Sequence, residues 1–162
     1  MTVIIDALAV RGPAGVMVEP VTAEIGPGAT LALIGESGSG KTLTAKSIVG
    51  LLPRGFTATG SVTVSGQPLP VGGDDAAWRR VRGRSVSLLL QDPFTSLTPV
   101  HRCGEQIAWT LEAAHAHRIP RGARRAMVEE RLAEVNLPAR VADAYPHELS
   151  GGMRQRVAIA AA

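Results

Sequence analysis

Apolar positions change spacing along this chain, and the changes mark its elements. Residues 2–10 and 16–25 are rich in Val and Ile and are interrupted by Gly12, Pro13 and Gly15. That pattern predicts two strands joined by a turn. Pro27-Gly28 marks a further turn, and the short apolar run from Thr30 to Ile34 predicts a buried strand. A Gly-rich loop follows, then a helix from about Lys41 to Leu52 that Pro53 stops. Ser61 to Val64 predicts another short strand, Gln67 to Asp75 a Pro/Gly loop, and Ala76 to Arg82 a short helix. Ser85 to Leu90 is again an apolar strand pattern, ended by Gln91-Asp92-Pro93.

From Gly104 the period becomes helical. Ile107, Leu111 and Ala114 fall at i, i+4 and i+7, as do Val128, Leu132 and Val135. Residues 100–145 therefore form an expected helical insert. Ser150-Gly151-Gly152 opens a last helix that is still running at Ala162. The ending Val157-Ala158-Ile159-Ala160-Ala161-Ala162 is apolar and lacks a cap or polar tail. Termini are usually exposed and polar, so this ending predicts a truncated chain.

Composition adds limits. The 162 residues suit one domain or slightly more, and 45% hydrophobic content is enough for a core. Aromatics are only 3%, so that core must be built from Val, Ile, Leu and Ala. The net charge of +3 fits a protein held away from zero charge. Its Arg groups are not interleaved with aromatics, so no stacking surface for single strands is indicated. The lone cysteine, Cys103, excludes an intrachain disulfide or thiolate metal centre, fits a reducing compartment, and reads as a small packing residue. No signal-peptide pattern opens the chain, and no apolar run approaches the ~20 residues that span a bilayer. At a membrane, other chains would have to hold it there.

Gly35-Glu36-Ser37-Gly38-Ser39-Gly40-Lys41-Thr42 matches the phosphate-loop pattern G-x-x-x-x-G-K-[ST]. Each part has a physical reason. Glycines allow positive φ, so backbone N–H groups can turn inward as an anion nest. The helix beginning at Lys41 points its positive dipole end at the same place. The Lys41 ammonium should reach the β- and γ-phosphates, and the Thr42 hydroxyl should coordinate Mg²⁺. Leu43 completes the predicted nucleotide-contacting run. Kinases, GTPases and transport ATPases share such a loop, so the narrowing residues lie downstream.

Leu149-Ser150-Gly151-Gly152-Met153-Arg154-Gln155-Arg156 supplies them. A Ser and two Gly at a helix start leave free donors and a hydroxyl at a positive helix end, a second anion-binding element. With the phosphate loop and Gln91 at a strand end, this segment resembles an ATP-binding-cassette (ABC) ATPase. Gln91-Asp92-Pro93, Thr95-Ser96-Leu97-Thr98-Pro99, Gly104-Glu105-Gln106-Ile107, Gly50-Leu51-Leu52-Pro53 and Tyr145-Pro146-His147-Glu148 resemble the peptide/nickel importer branch.

The resemblance implies an α/β fold: a mixed sheet around a P-loop, an N-terminal antiparallel β portion, a helical subdomain, and a missing C-terminal part. The expected organisation is a nucleotide-binding core at 1–91, a helical subdomain at 92–148, and the signature motif with its helix at 149–162. ATP and Mg²⁺ are the implied cofactors. Gly35, Glu36, Ser37, Gly38, Ser39, Gly40, Lys41, Thr42 and Leu43 would hold the phosphates. Lys41 and Gln91 would be catalytic, Thr42 and Gln91 would lie at the metal, and Gln91 would also approach the attacking water. Ser150, Gly151 and Gly152 would bind the γ-phosphate of an ATP held by an opposite subunit.

The implied function is ATP binding and hydrolysis coupled to uptake of peptides or nickel complexes. The implied partners are transmembrane permease subunits, a second ATPase subunit and an extracytoplasmic solute-binding protein, at the cytoplasmic face of the membrane. Alternatives are a soluble ABC-type ATPase acting on DNA, and a non-hydrolysing ATP-binding module. Glu148 and His147 read as loop or capping residues, and His101, His115 and His117 as surface or helix positions without metal spacing.

Two features depart from the family. It stacks adenine on an aromatic near the N-terminus, a place that falls near Arg11 or Gly12, yet no aromatic precedes Phe56. Arg11 could stack by cation–π geometry instead. The family's metal-binding Asp and water-polarising Glu follow the signature helix, and no Asp or Glu lies beyond Glu148. This chain alone is therefore expected to bind ATP with little or no turnover, and exposed strand edges are expected to favour aggregation.

Overall fold

The computed structural model describes residues 1–90, 92, 96–114 and 119–162, the side chain of Arg121 excepted. Gln91, His115 and His117 lie outside the described residues. Two compact units divide the chain, Met1–Val86 and Ser87–Ala162.

The first unit is built on a four-stranded antiparallel sheet of order β2-β1-β3-β4. β1 spans Val3–Gly12, β2 Gly15–Ile25, β3 Thr57–Val64 and β4 Gln67–Pro68. A two-residue turn at Pro13-Ala14 joins β1 to β2, with Gly12 paired to Gly15. β2 is an edge strand, the place where Pro20 can sit without removing a ladder bond. Ile5 and Leu8 are both buried although three residues apart, because the β1 register shifts between them. Ala7 sits at that bulge with φ 46°, its N–H donating to Thr22 Oγ1 at 3.0 Å. Across the bulge lies Gly60, where a Cβ would collide with the Ala7 carbonyl. Ile5, Leu8, Val62, Val64, Leu69 and Trp78 form the core of this unit.

Helix α1 runs Lys41–Ile48, shorter than the predicted stretch to Leu52. Pro53 does not stop it. Gly50 does, at φ 65°, with the Gly50 N–H donating to Ser47 O at 3.3 Å and the Leu51 N–H to Lys46 O at 2.8 Å. That paired closure needs a left-handed residue just past the helix, and glycine adopts it without strain. A Cβ on Gly50 would also enter the indole of Trp78, which belongs to the short helix α2 (Asp75–Arg79).

Two predicted strands are corrected. Residues 30–34 form no strand, and Leu31, Leu33 and Ile34 are exposed, Ile34 at 94%. Residues 85–90 form none either; Val86 makes one isolated bridge to Arg82, and Leu89 and Leu90 are exposed. A strand exists only where a neighbour accepts its backbone hydrogen bonds, and no described strand pairs with either run. The strands among the described residues are therefore all antiparallel, not mixed.

The second unit is helical, as the change of period predicts. α3 spans Cys103–Ala114, α4 Arg121–Glu134 and α5 Gly151–Ala160, with 3₁₀ turns at Ala139–Asp143 and Pro146–Glu148. Ile107 and Leu111 of α3, Val128 and Leu132 of α4, and Val157 of α5 meet in one core with Cys103, Leu137 and Val141. α4 ends at Asn136, φ 55°, through Leu137 N–H to Leu132 O at 2.8 Å and Asn136 N–H to Ala133 O at 2.9 Å. Asn takes the left-handed role that Gly50 takes after α1. Among the described residues, no helix is long and apolar enough to cross a membrane.

Candidate functional site

The loop 35–42 has the geometry that its sequence predicts. Gly38 and Gly40 are left-handed, with φ 85° and 87°. Gly40 is the N-cap of α1 and offers no side chain, so no side-chain oxygen caps the helix start. The first-turn N–H groups of α1 are left for an external acceptor. Gly40 also lies against β2: a Cβ there would stand 2.7 Å from Val18 Cγ2 and 3.1 Å from the Met17 carbonyl. Glycine is thus required at this position twice, for φ and for the close approach to the strand.

Lys41 organises the loop interior. Its Nζ donates to the carbonyls of Gly35 at 2.8 Å and Glu36 at 2.6 Å, and to Ser39 Oγ at 3.2 Å. The Ser39 N–H donates to Glu36 O at 3.2 Å. Ser37, Gly38, Ser39, Gly40, Lys41, Thr42 and Leu43 line a cleft of about 300 Å³. The predicted contacts Gly35 and Glu36 bound it through their carbonyls, and Thr42 is exposed at the first turn of α1. Behind this face, Thr44 Oγ1 donates to Gly40 O and Ser47 Oγ to Thr44 O, so the buried hydroxyls are satisfied.

This arrangement fits a polyphosphate. A helix N-terminus without a side-chain cap and an ammonium border one cleft. It also fits Mg²⁺, which commonly takes one or two protein oxygens plus phosphate oxygens and water; Thr42 offers one such hydroxyl. Among the described residues, no group of three or more His, Cys, Asp and Glu side chains could hold a metal by itself.

Ser150, Gly151 and Gly152 form the start of α5. Ser150 is its N-cap, with Oγ accepting from the Met153 N–H at 3.3 Å. Gly151 and Gly152 are exposed, and a Cβ on either would meet nothing within 4 Å. The first turn of α5 therefore presents bare backbone to its surroundings. Two arginines that sequence reasoning did not assign hold this helix. Arg154 donates to Leu149 O at 3.0 Å and His147 O at 3.3 Å, and Arg156 donates to Asn136 O at 2.8 Å. No periodicity announces such bonds, because they end on backbone carbonyls, five and seven residues back for Arg154 and twenty for Arg156.

Glu148 and His147 do what their positions predict. The Glu148 carboxylate accepts from the Tyr145 N–H at 2.6 Å, closing a capping box, and His147 stacks on the Tyr145 ring. His101 is a surface residue beside Glu105 and Trp109. Cys103 is a packing residue, fully buried, and burial pushes its thiol up to about 11. The other perturbed groups belong to ion pairs. Hydrogen bonds from Arg125 hold the Asp143 carboxyl below its ordinary value, and the pair raises the Arg125 guanidinium in turn. Arg82 and then Arg79 do the same to Asp75.

Comparison with known proteins agrees with the geometry. A family model described as "ABC transporter" matches residues 18–162. The oligopeptide transport ATP-binding protein OppD of Mycobacterium tuberculosis is 44% identical over 151 residues, 89% of this chain and 24% of that protein. A putative peptide import ATP-binding protein of Brucella ovis is 46% identical over 155 residues, 91% of this chain and 45% of that one. The chain thus spans between a quarter and a half of these relatives' length. Among solved structures, a dimeric ATP-binding cassette in a post-hydrolysis state, bound to ADP and Pi, superposes with a TM-score of 0.79 at 25% identity. That superposition covers 99% of this chain and 68% of the other.

Proposed function

Because the chain belongs to the ABC transporter family, we propose that it is the ATP-binding part of an importer subunit that powers uptake of peptides or nickel complexes. The observation that supports this reading is the loop 35–42, where an uncapped helix start and the Lys41 ammonium border one cleft. Lys41 and the amides of residues 35–43 hold the β- and γ-phosphates. The Thr42 hydroxyl faces the metal, which neutralises phosphate charge when bound. By its place in the family motif, Gln91 takes the role of serving the metal and the attacking water. Ser150, Gly151 and Gly152 meet the γ-phosphate of a nucleotide on a second ATPase subunit. The start of α5 supports that role, since its bare first turn offers donors outward.

The names of the relatives support peptides as the cargo class; the nickel reading rests on the motifs of the importer branch. In the whole protein, permease subunits, a second ATPase and an extracytoplasmic solute-binding protein complete the machine at the cytoplasmic membrane face.

Titration of the purified chain with ATP, with and without Mg²⁺, tests the reading. Saturable binding that Lys41→Ala abolishes supports it. Absence of binding by the folded chain overturns it. Salt-sensitive binding to duplex DNA at comparable affinity would favour the DNA-acting alternative.

A further inference from the structure

We propose that Arg82 is a positioning residue for the nucleotide: its guanidinium fastens the far end of α1 and so fixes the phosphate loop that the same helix carries at its start. The inference rests on the nucleotide-binding reading of the loop 35–42 and adds a residue outside the loop that governs it.

A helix that receives an anion at one end has unpaired carbonyls at the other. Just past α1, one side chain gathers two of them. Arg82 Nε donates to the Val49 carbonyl at 2.9 Å, and Nη2 donates to the Gly50 carbonyl. The remaining nitrogen, Nη1, donates to Asp75 Oδ1 at 2.9 Å. All three nitrogens of the guanidinium are thus engaged, and a cation stands at the negative end of the helix dipole. Arg82 is held in turn. Its backbone N–H donates to Trp78 O at 3.0 Å, and its guanidinium carbon lies 5.8 Å from the centre of the Trp78 ring. Trp78 is buried in the sheet core, so Arg82 ties α1 to a seated segment.

The side chains that α1 itself buries are Thr44 and Ser47, both small and polar. Its apolar contacts come at the end that Arg82 fastens: Ile48 packs partly buried against the sheet core, and Val49 is buried just beyond. At its start α1 meets the sheet through Gly40, against Val18 of β2. The approach to the loop adds no support, since residues 30–34 form no strand and Leu31, Leu33 and Ile34 are exposed. The eight residues of α1 rise about 12 Å. A tilt at the Val49-Gly50 end therefore displaces the first turn, where Lys41 and Thr42 stand.

The test is calorimetric titration of the chain with ATP and Mg²⁺, at a temperature where circular dichroism shows each variant folded. Arg82→Met keeps apolar bulk without a donor and should weaken ATP binding about fivefold or more. Arg82→Lys keeps the charge, but one ammonium does not reproduce a planar fork, so it should also bind more weakly than wild type. Val64→Ala is the control for general loosening. It removes core volume at the opposite end of β3 from Thr57 and Ala58, which line a cavity with Ser47 and Gly50. It should lower the melting temperature and leave ATP affinity unchanged. Wild-type affinity in Arg82→Lys overturns the proposal, and that variant decides alone if Arg82→Met does not fold. Undiminished affinity in Arg82→Met, or an equal loss in Val64→Ala, also overturns it and leaves the nucleotide-binding reading intact. Wild-type chain that binds no ATP would overturn both.

Discussion

Lys41 Nζ stands 2.8 Å from the carbonyl oxygen of Gly35, tying the first residue of the phosphate loop to the seventh. The same ammonium reaches Glu36 O and Ser39 Oγ. One cation therefore sets the loop's width and supplies charge to the cleft. Lys41→Ala should reduce ATP affinity by at least tenfold, measured by equilibrium dialysis. The melting temperature should change little, because these bonds are exposed and the side chain contributes nothing to the core. An unchanged affinity would remove Lys41 from the site.

Gly40→Ala should destabilise the protein by about 1–3 kcal/mol, the cost of holding a non-glycine residue in a strained backbone region. The collision with Val18 adds to it. Val18→Ala in the same chain should relieve the steric part and leave the φ part. A double-mutant cycle on thermal unfolding should therefore show favourable coupling between the two substitutions. Strict additivity would mean that the loop does not rest on β2.

Asp143 and Arg125 predict an acid-sensitive clamp in the helical unit. Arg125 donates from Nη1 to Asp143 Oδ1 at 2.8 Å and lowers that carboxyl's pKa below 3.8. A depressed folded pKa gives stability that is present above the unfolded value and lost as pH falls through the folded one. The melting-temperature gap between wild type and Asp143→Asn should therefore be full at neutral pH, shrink below about pH 4, and close in stronger acid. A gap that widens in acid would reverse the assignment. The effect should be small, since both groups are solvent-exposed.

Cys103 should resist alkylation at pH 8 in the native protein and react fully in denaturant, followed by mass spectrometry. Burial keeps the thiol protonated up to about pH 11, and the thiolate is the reactive form. The raised pKa also makes a pH contribution of opposite sense to that of Asp143. It is present below 9.0, the ordinary value of the group, and is lost as pH rises toward 11. Rapid native labelling would mean that α3 opens readily.

The site was legible where the chemistry is local. Gly35 to Thr42 are contiguous, so spacing alone places Gly38 and Gly40 at positive φ and Lys41 at the helix start. Ser150 as N-cap and Glu148 as a capping acceptor follow from the same short-range logic. The helical unit was legible through the period shared by Ile107 and Leu111, and by Val128 and Leu132. The strands at 30–34 and 85–90 were misread because an apolar run reports a preference for burial and says nothing of whether a partner strand exists. Helix α1 ends at Gly50 and not at Pro53 for a local reason that could have been read: glycine at the first position past the last turn.

The arginines carry one last implication. Arg82 donates to Val49 O and Gly50 O, Arg102 to Asp143 O, Arg125 to Asp143 and Glu129, and Arg156 to Asn136 O. Arg82, Arg102 and Arg156 thus tie their charge to backbone carbonyls twenty or more residues away, and Arg125 ties its charge to two carboxylates. Few of these guanidinium groups can release ions from a polyanion without letting go of the protein itself. Any adventitious association with nucleic acid should then show a shallow dependence on salt, far below what fifteen arginines would suggest.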